Sequence, residues 1–338
     1  MRKRPTAVRL GVAAALSALP LMAAFGGGSA AADSGAAVKS ACTPATNVQA
    51  IIDDSGSMSS NDPDKFRTKL LTAFASISEN NGLIFGGGEF GDAYNPLFGP
   101  ATIPGVNASM QASFVQVDAN SGGTDYEVAF TGATAQNGTA NARIFLSDGE
   151  PNFDPNPNVW RNPNVPTYVI ALGQDFVSDS TAQVLLNQIA SDTGGPPPTL
   201  VTDASQLQPV AASITAQLHC KQPPLTFSKV FTRQGQAVNY GFKPQGHTAD
   251  ILLSWGNAGT ILDGIGFTYG GKKHGKKASL AATARKHKKR KSKIKVQKTR
   301  GDTFVTIHLR HLKRKKIKFK VKAKRLAGQT VGTTQVIR

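Results

Sequence analysis

The chain has 338 residues, 40% of them apolar and 7% aromatic, with a net charge of +18. That length exceeds what one core usually organises, and that apolar share rules out a chain disordered throughout. The charge is divided sharply, at +4 over residues 1–41, −12 over residues 42–220 and +26 over residues 221–338, which implies separate parts with different partners.

Arg2, Lys3, Arg4 and Arg9 make a basic start, residues 10–25 an apolar run broken by Pro20, and residues 26–32 a small-residue stretch. The run is shorter than the roughly 20 residues a spanning helix needs. Residues 1–32 therefore read as a signal peptide cut near Ala32, and the mature protein is expected to be secreted or held at the cell surface. No later stretch is apolar enough to span a membrane. Cys42 and Cys220 bracket the acidic region. In an exported protein such a pair is expected to be a disulfide.

Within the acidic region, residues 48–52 form a β-branched run ending in Asp53-Asp54, the pattern of a buried parallel strand. Asp62-Pro63-Asp64 opens a helix carrying Phe66, Leu70, Leu71, Phe74 and Ile77 at helical spacing. Residues 83–85 begin a second strand, followed by Gly86-Gly87-Gly88. A helix follows Thr124. Residues 143–146 form a strand that stops at Ser147-Asp148-Gly149, and 167–172 another. Helices are expected over 182–190 and 207–218, with a short strand at 200–201. This alternation predicts an α/β fold with a mostly parallel sheet flanked by helices, whose ligands bind beyond the carboxyl ends of the strands. The stretch 151–166 follows Asp148, so it is expected at the rim of that site; Trp160 and Arg161 within it are residue types enriched at binding hot spots, and an ordinary mobile loop is the equal alternative.

Two apolar strands thus end in an aspartate, and a carboxylate there is costly to bury unless it meets a cation. Asp53, Ser55 and Ser57 place oxygens on alternate residues of one tight loop around Gly56. Thr124, after Gly122-Gly123, and Asp148 add two more. Together they make an all-oxygen set suited to a hard cation. Here the chain resembles the von Willebrand factor type A family and its metal-ion-dependent adhesion site, whose pattern is Asp-x-Ser-x-Ser, then a distant Thr, then a distant Asp. The resemblance spans roughly residues 45–218. Ser147 stands where Thr is frequent in the family. The resemblance implies a Rossmann-like module over 42–220. It implies that Ser55 and Ser57 coordinate the metal, while Asp53, Thr124 and Asp148 act directly or through water. It also implies an open position taken by an acidic residue of a protein partner. Mg²⁺ is the expected ion, with Ca²⁺ or Mn²⁺ as alternatives. Asp54 and Asp125 read as supporting or helix-capping groups, and Glu150 as a solvated loop residue.

Residues 221–226, with Pro223-Pro224, read as a linker. Beyond it the pattern turns to period two. Val238, Tyr240 and Phe242 share a face. Residues 251–255 form a further run. Ile294 and Val296 alternate with lysines, Val305, Ile307 and Leu309 with polar residues, and Ile317, Phe319 and Val321 with Lys318, Lys320 and Lys322. Residues 227–338 are therefore expected to form a small antiparallel β-sandwich with one wet face. Residues 270–277 and 285–293 read as one long loop. Arg285, Lys286, Lys288, Lys289, Arg290, Lys291 and Lys293 are the candidate contacts to an anionic cell-envelope polymer or lipid headgroups. Nucleic acid fits less well, since the compartment is wrong and aromatics are sparse.

No nucleophile elbow, zinc-protease helix or phosphate loop is present, and His219 is the one histidine of the acidic region. A non-enzymatic binding protein is expected, acting in adhesion or ligand binding; the other expectation is a structural subunit of an envelope complex. Oligomeric state is not readable from the sequence.

Overall fold

The structure is a computed structural model. It describes residues 42–149, 151–152, 154–173, 175–257, 259–269, 272–274, 295–300, 303–312 and 315–337. The expected signal peptide, Glu150 and the basic run 285–293 lie outside the described residues.

The first half alternates as its sequence demands. Strand β1 (Asn47–Asp53) leads through the short helix α1 (Met58–Asn61) to α2 (Phe66–Ser76). Then come β2 (Ile84–Phe90), β3 (Tyr94–Thr102), α3 (Asn107–Ser113), α4 (Tyr126–Gln136), β4 (Ala142–Ser147), β5 (Thr167–Leu172), α5 (Asp175–Ser178), α6 (Ser180–Asp192), β6 (Thr199–Val201) and α7 (Leu207–Leu218). The six strands form one sheet in the order β3-β2-β1-β4-β5-β6, parallel throughout except for β3 at one edge. Side-chain alternation splits β1 between two cores. Val48, Ala50 and Ile52 pack with Leu70, Leu71 and Phe74 of α2 and with Ala211 and Ile214 of α7. Ile51 faces the other way, towards Phe130 of α4 and Leu186 and Ile189 of α6. Both faces are covered, so the central strands are buried end to end.

Two features depart from the sequence reading. The run Gly86–Gly88 is the interior of β2, where a loop is expected. A side chain on Gly87 would run into the Phe98 ring, and one on Gly88 into Tyr94. The glycines let the aromatics of β3 lie flat over β2. Trp160 is the second departure. It is fully buried, packs on Phe130 with ring centroids 5.8 Å apart, and donates from Nε1 to Asp192. Its carbonyl accepts from Arg143 at the start of β4, so it sits at the end of the sheet away from Asp148. Trp160 is core: the segment after Asp148 lies at the rim at Asn152, which bonds to Thr124, and reaches the far end of the sheet by Trp160.

The second half is antiparallel. It comprises β7 (Leu225–Phe231), β8 (Ala237–Phe242), β9 (Ala249–Trp255), β10 (Ile261–Tyr269), β11 (Lys272–His274), β12 (Lys295–Arg300), β13 (Phe304–Arg310), β14 (Ile317–Arg325) and β15 (Thr330–Ile337). Residues 272–274, expected in a loop, pair as β11 with β10. One sheet runs β11-β10-β14-β8 and the other β12-β13-β9-β15-β7. Between them lies a core that includes Trp255, Phe231, Phe242, Phe319, Ile307 and Val321. The five-stranded sheet has no free outer face along β9 and β13. Ile251, Leu253 and Trp255 point into the sandwich, while Leu252 joins the core under α7, as does Ile337 of β15. Thr306 and His308, polar residues that alternation assigns to solvent, are buried there. Thr306 lies 3.1 Å from Ser76 of α2, and His308 meets Asp250 at 2.7 Å. Asp250 also accepts from the Glu79 backbone, and Ser254 donates to the Ser205 carbonyl. The wet face expected of the sandwich belongs to the four-stranded sheet.

Cys42 and Cys220 form a disulfide with Cα atoms 5.7 Å apart and 178 residues of separation. It ties the chain ahead of β1 to the end of α7. Closing so long a loop removes denatured-state entropy worth up to about 5 kcal/mol in the chain-entropy model. Cys42→Ser/Cys220→Ser is expected to lower unfolding free energy by about 2–5 kcal/mol in a denaturant titration; an unchanged midpoint would show that the bridge adds nothing.

Candidate metal centre

At the carboxyl end of β1 the chain turns inside one residue. Asp53 Oδ1 accepts from the Ser55 backbone at 2.9 Å, and this folds the loop so that the Ser55 and Ser57 hydroxyls stand 3.1 Å apart. Gly56 at the crest donates its N–H to the Gly122 carbonyl at 2.9 Å, which fastens this loop to a second one. Gly122 has φ +83°, and a side chain there would collide with the Asp92 carboxylate. Glycine is needed on both counts. Asp92 in turn accepts from Gly123 N–H at 2.8 Å. Thr124 follows, buried at the entrance to α4. Its N–H donates to Asn152 Oδ1 and its carbonyl accepts from Asn152 N–H, so the segment after Asp148 is fastened to the second loop as well. Asp125 caps α4, accepting from Glu127 and Val128 N–H.

Asp53 and Asp148 end strands that are neighbours in the sheet. Both are almost wholly buried. Ser147 donates to Asp53 Oδ2 at 2.6 Å. Its hydroxyl proton is thereby used, so the Tyr126 hydroxyl, 2.8 Å away, donates to it. Asp148 Oδ2 accepts from Asn61 of α1 at 2.9 Å, whereas its buried Oδ1 has no hydrogen-bond partner. Burial, and then the neighbouring Asp148 charge, push the Asp53 carboxyl up from 3.8 to about 7, against the lowering effect of its bonds from Ser147 and Ser55. Burial is also the main force raising Tyr126 well above its ordinary value, so the phenol keeps its proton.

The nearest buried cation does not relieve this. Arg67 of α2 is spent on Asp54 at 3.0 Å and Asp62 at 2.9 Å. Asp54 further accepts from Ala119 N–H and the Ser121 hydroxyl. It braces the two loops from behind and does not face the crevice with Asp53. Glu89 near the end of β2, buried and close to Asp54 and Asp118, is pushed up to about 7, chiefly by burial.

The described residues contain no group of three or more His, Cys, Asp or Glu side chains able to hold a metal. A cation here would depend on hydroxyl oxygens beside two carboxylates, which is the donor set of a hard ion. The fit is good on the structure's own terms. One carboxylate oxygen is unmatched, the other carboxyl is pushed up by burial and then by its neighbour's charge, and two hydroxyls converge beside them. The structure brings Asp53, Ser55 and Ser57 into one loop, puts Asp148 beside Asp53, and binds the loop of Thr124 to theirs. Sequence reasoning missed Asn61, Asn152, Tyr126 and Arg67, which hold these groups. Nothing in local spacing marks an asparagine as a partner 87 residues from its carboxylate.

No family model matches the chain, and no curated protein matches it. Among solved structures it is similar to an aerotolerance-related membrane protein from Bacteroides fragilis, at 16% identity over 51% of this chain and 98% of that one, with a TM-score of 0.41. Another is a von Willebrand factor type A protein from Catenulispora acidiphila, at 14% identity over 84% and 63%, TM-score 0.42. A third is proximal thread matrix protein 1 from the mussel byssus with a zinc-occupied MIDAS motif, at 15% over 55% and 50%, TM-score 0.41. One of the three bears the name of the family that the sequence motif resembles. Identities this low leave the chemistry to be read from the residues themselves.

The raised Asp53 carboxyl has a measurable sign. Its folded pKa, about 7, lies above the ordinary 3.8, so the folded state without metal binds the extra proton. That contribution to stability is full below about pH 4 and is lost as pH rises through about 7. In chelator, the melting temperature should therefore be higher at about pH 5 than at about pH 8, and saturating Mg²⁺ should shrink or reverse that difference. A pH profile indifferent to Mg²⁺ would count against a cation in this crevice.

Proposed function

We propose that residues 42–220 are a von Willebrand factor type A module that binds a protein partner through a divalent cation. Asp53, Ser55, Ser57, Thr124 and Asp148 would hold the ion, with Mg²⁺ preferred because a hard, all-oxygen set with room for water suits it. When bound, the ion supplies a Lewis-acidic position that an acidic side chain of the partner can occupy. The remaining work is done by the chain itself. Asn61 and Ser147 orient the two carboxylates, and Asn152 and Arg67 keep the three loops in register. The observation that carries this reading is the buried Asp53–Asp148 pair, with an unmatched Asp148 oxygen and no free cation beside it among the described residues.

The protein would be exported by residues 1–32 and act outside the cell as a non-enzymatic adhesion or ligand-binding protein. In this reading the basic half that begins with β7 at Leu225, where the sequence pattern puts a linker as far as residue 226, holds the protein on the envelope, with the run 285–293 contacting anionic polymer or lipid.

Calorimetric titration of the metal-free protein with Mg²⁺ and Mn²⁺ tests the centre. Asp148→Ala should weaken binding by more than about 100-fold and Asn61→Ala by about 10-fold, the usual cost of losing a ligand's orienting partner. Equal binding by wild type and Asp148→Ala would end the proposal.

A further inference from the structure

The four-stranded sheet carries a feature that the metal centre does not explain. In β14 every second residue is a lysine. Lys318, Lys320 and Lys324 are exposed and Lys322 is half-buried, while Ile317, Phe319, Val321 and Ala323 point into the sandwich core. Lys316, exposed just ahead of the strand, continues the same parity. Alternate residues of a strand share a face and lie about 6.8 Å apart, so the file extends about 27 Å. β14 is an interior strand, flanked by β10 and β8. The file is therefore not a device for blocking an exposed sheet edge.

On the side of β8 the file is open. On β8, Asn239 pairs in register with Lys320, Gly241 with Lys318 and Ala237 with Lys322. These are small and uncharged, and a Cβ on Gly241 would lie 3.2 Å from Lys316 Cε. Lys324 pairs with Asp263 at 2.5 Å. Asp263 of β10 also stands in register with Lys322. Among the described residues Lys316, Lys318 and Lys320, all exposed, make no ion pair. Lysine is a poor strand former, and like charges on one face of a strand repel. Three consecutive outward lysines with no acid to relieve them are a cost to the fold, and an anion spanning them would remove it.

We infer that this file is a docking track for a linear polyol phosphate, a phosphodiester polymer without bases. The two-residue period is close to the extended repeat of phosphates joined through a three-carbon polyol. Single-file charge fits a thread better than a membrane, which would be met by a disc of cations. The aromatics of these two strands, Tyr240, Phe242 and Phe319, pack inward, where Tyr240 stacks on Phe227 at 4.9 Å. No described aromatic stands on the lysine face, and single-stranded nucleic acid is gripped by such stacking platforms. The inference rests on the reading of this half of the chain as an envelope anchor, but assigns it a surface separate from residues 285–293.

The test uses the mature full chain and a poly(glycerol phosphate) oligomer, with binding measured over a range of salt. Lys316→Gln/Lys318→Gln/Lys320→Gln should weaken binding at least about tenfold at low salt. It should also lower the slope of log affinity against log salt by about two, near 0.7 per lost phosphate contact. Lys→Arg at the same three positions should keep both, and a melting curve checks that each variant folds. Lys288→Gln/Lys289→Gln/Arg290→Gln tests the run 285–293 separately. Loss in that variant alone overturns the track while sparing the anchor, and undiminished binding by both overturns the two together. A single-stranded oligonucleotide or an anionic vesicle bound as tightly as the polyol phosphate overturns the choice of partner.

Discussion

Two carboxylates forced together inside protein are the constraint around which the first half of this molecule is arranged. Asp53 and Asp148 terminate neighbouring parallel strands, so the sheet's geometry fixes how near they stand. Neither has a buried base to neutralise it, because Arg67 is engaged by Asp54 and Asp62. The arrangement answers with dipoles instead of charge: Ser147 and the Ser55 backbone serve Asp53, and Asn61 serves Asp148. Hydrogen bonds of this kind orient a carboxylate without cancelling its charge, and that uncancelled charge is the ground for the cation proposed above.

The layers behind that crevice explain its rigidity. α7 is covered on one side by the parallel sheet and on the other by β9 and β15, whose Leu252 and Ile337 enter the same core. The sandwich therefore completes the burial of the first half and does not hang from it. Polar contacts follow the apolar ones. Asp250 serves both His308 and the Glu79 backbone, and Ser254 and Thr306 each find partners across the junction.

Much of this was legible from residue patterns, and what was not has physical causes. Strands such as 167–172 and helices such as 207–218 announce themselves because burial on both faces, or on one stripe, dictates unbroken or periodic apolar residues. The interior of β2 did not, since its glycines owe their place to Phe98 and Tyr94 on a strand with no clean alternation. Trp160 misled because its type is shared by binding surfaces and cores, and only Phe130 and Asp192 decide between them. Alternation in β13 marks a strand, yet its polar face is dry, because Ser76 at the end of α2 meets Thr306 there. At the candidate centre the liganding residue types were visible, as the spacing of Asp53, Ser55 and Ser57 is local. Their supports, Asn61 and Asn152, were not, because each acts across the fold.

The position of the Cys42–Cys220 bridge has a consequence of its own. It lies before the first strand and after the last helix of the parallel sheet, at the pole remote from the aspartates. Reduction of the bridge and loss of a cation should thus act as uncoupled modes of failure. Cutting the staple loosens the whole body while leaving the crevice's local geometry untouched in every molecule that stays folded. Removing a cation from the proposed centre would leave the opposite pole as tight as before. The strands of the sheet keep those two vulnerabilities a full strand's length apart.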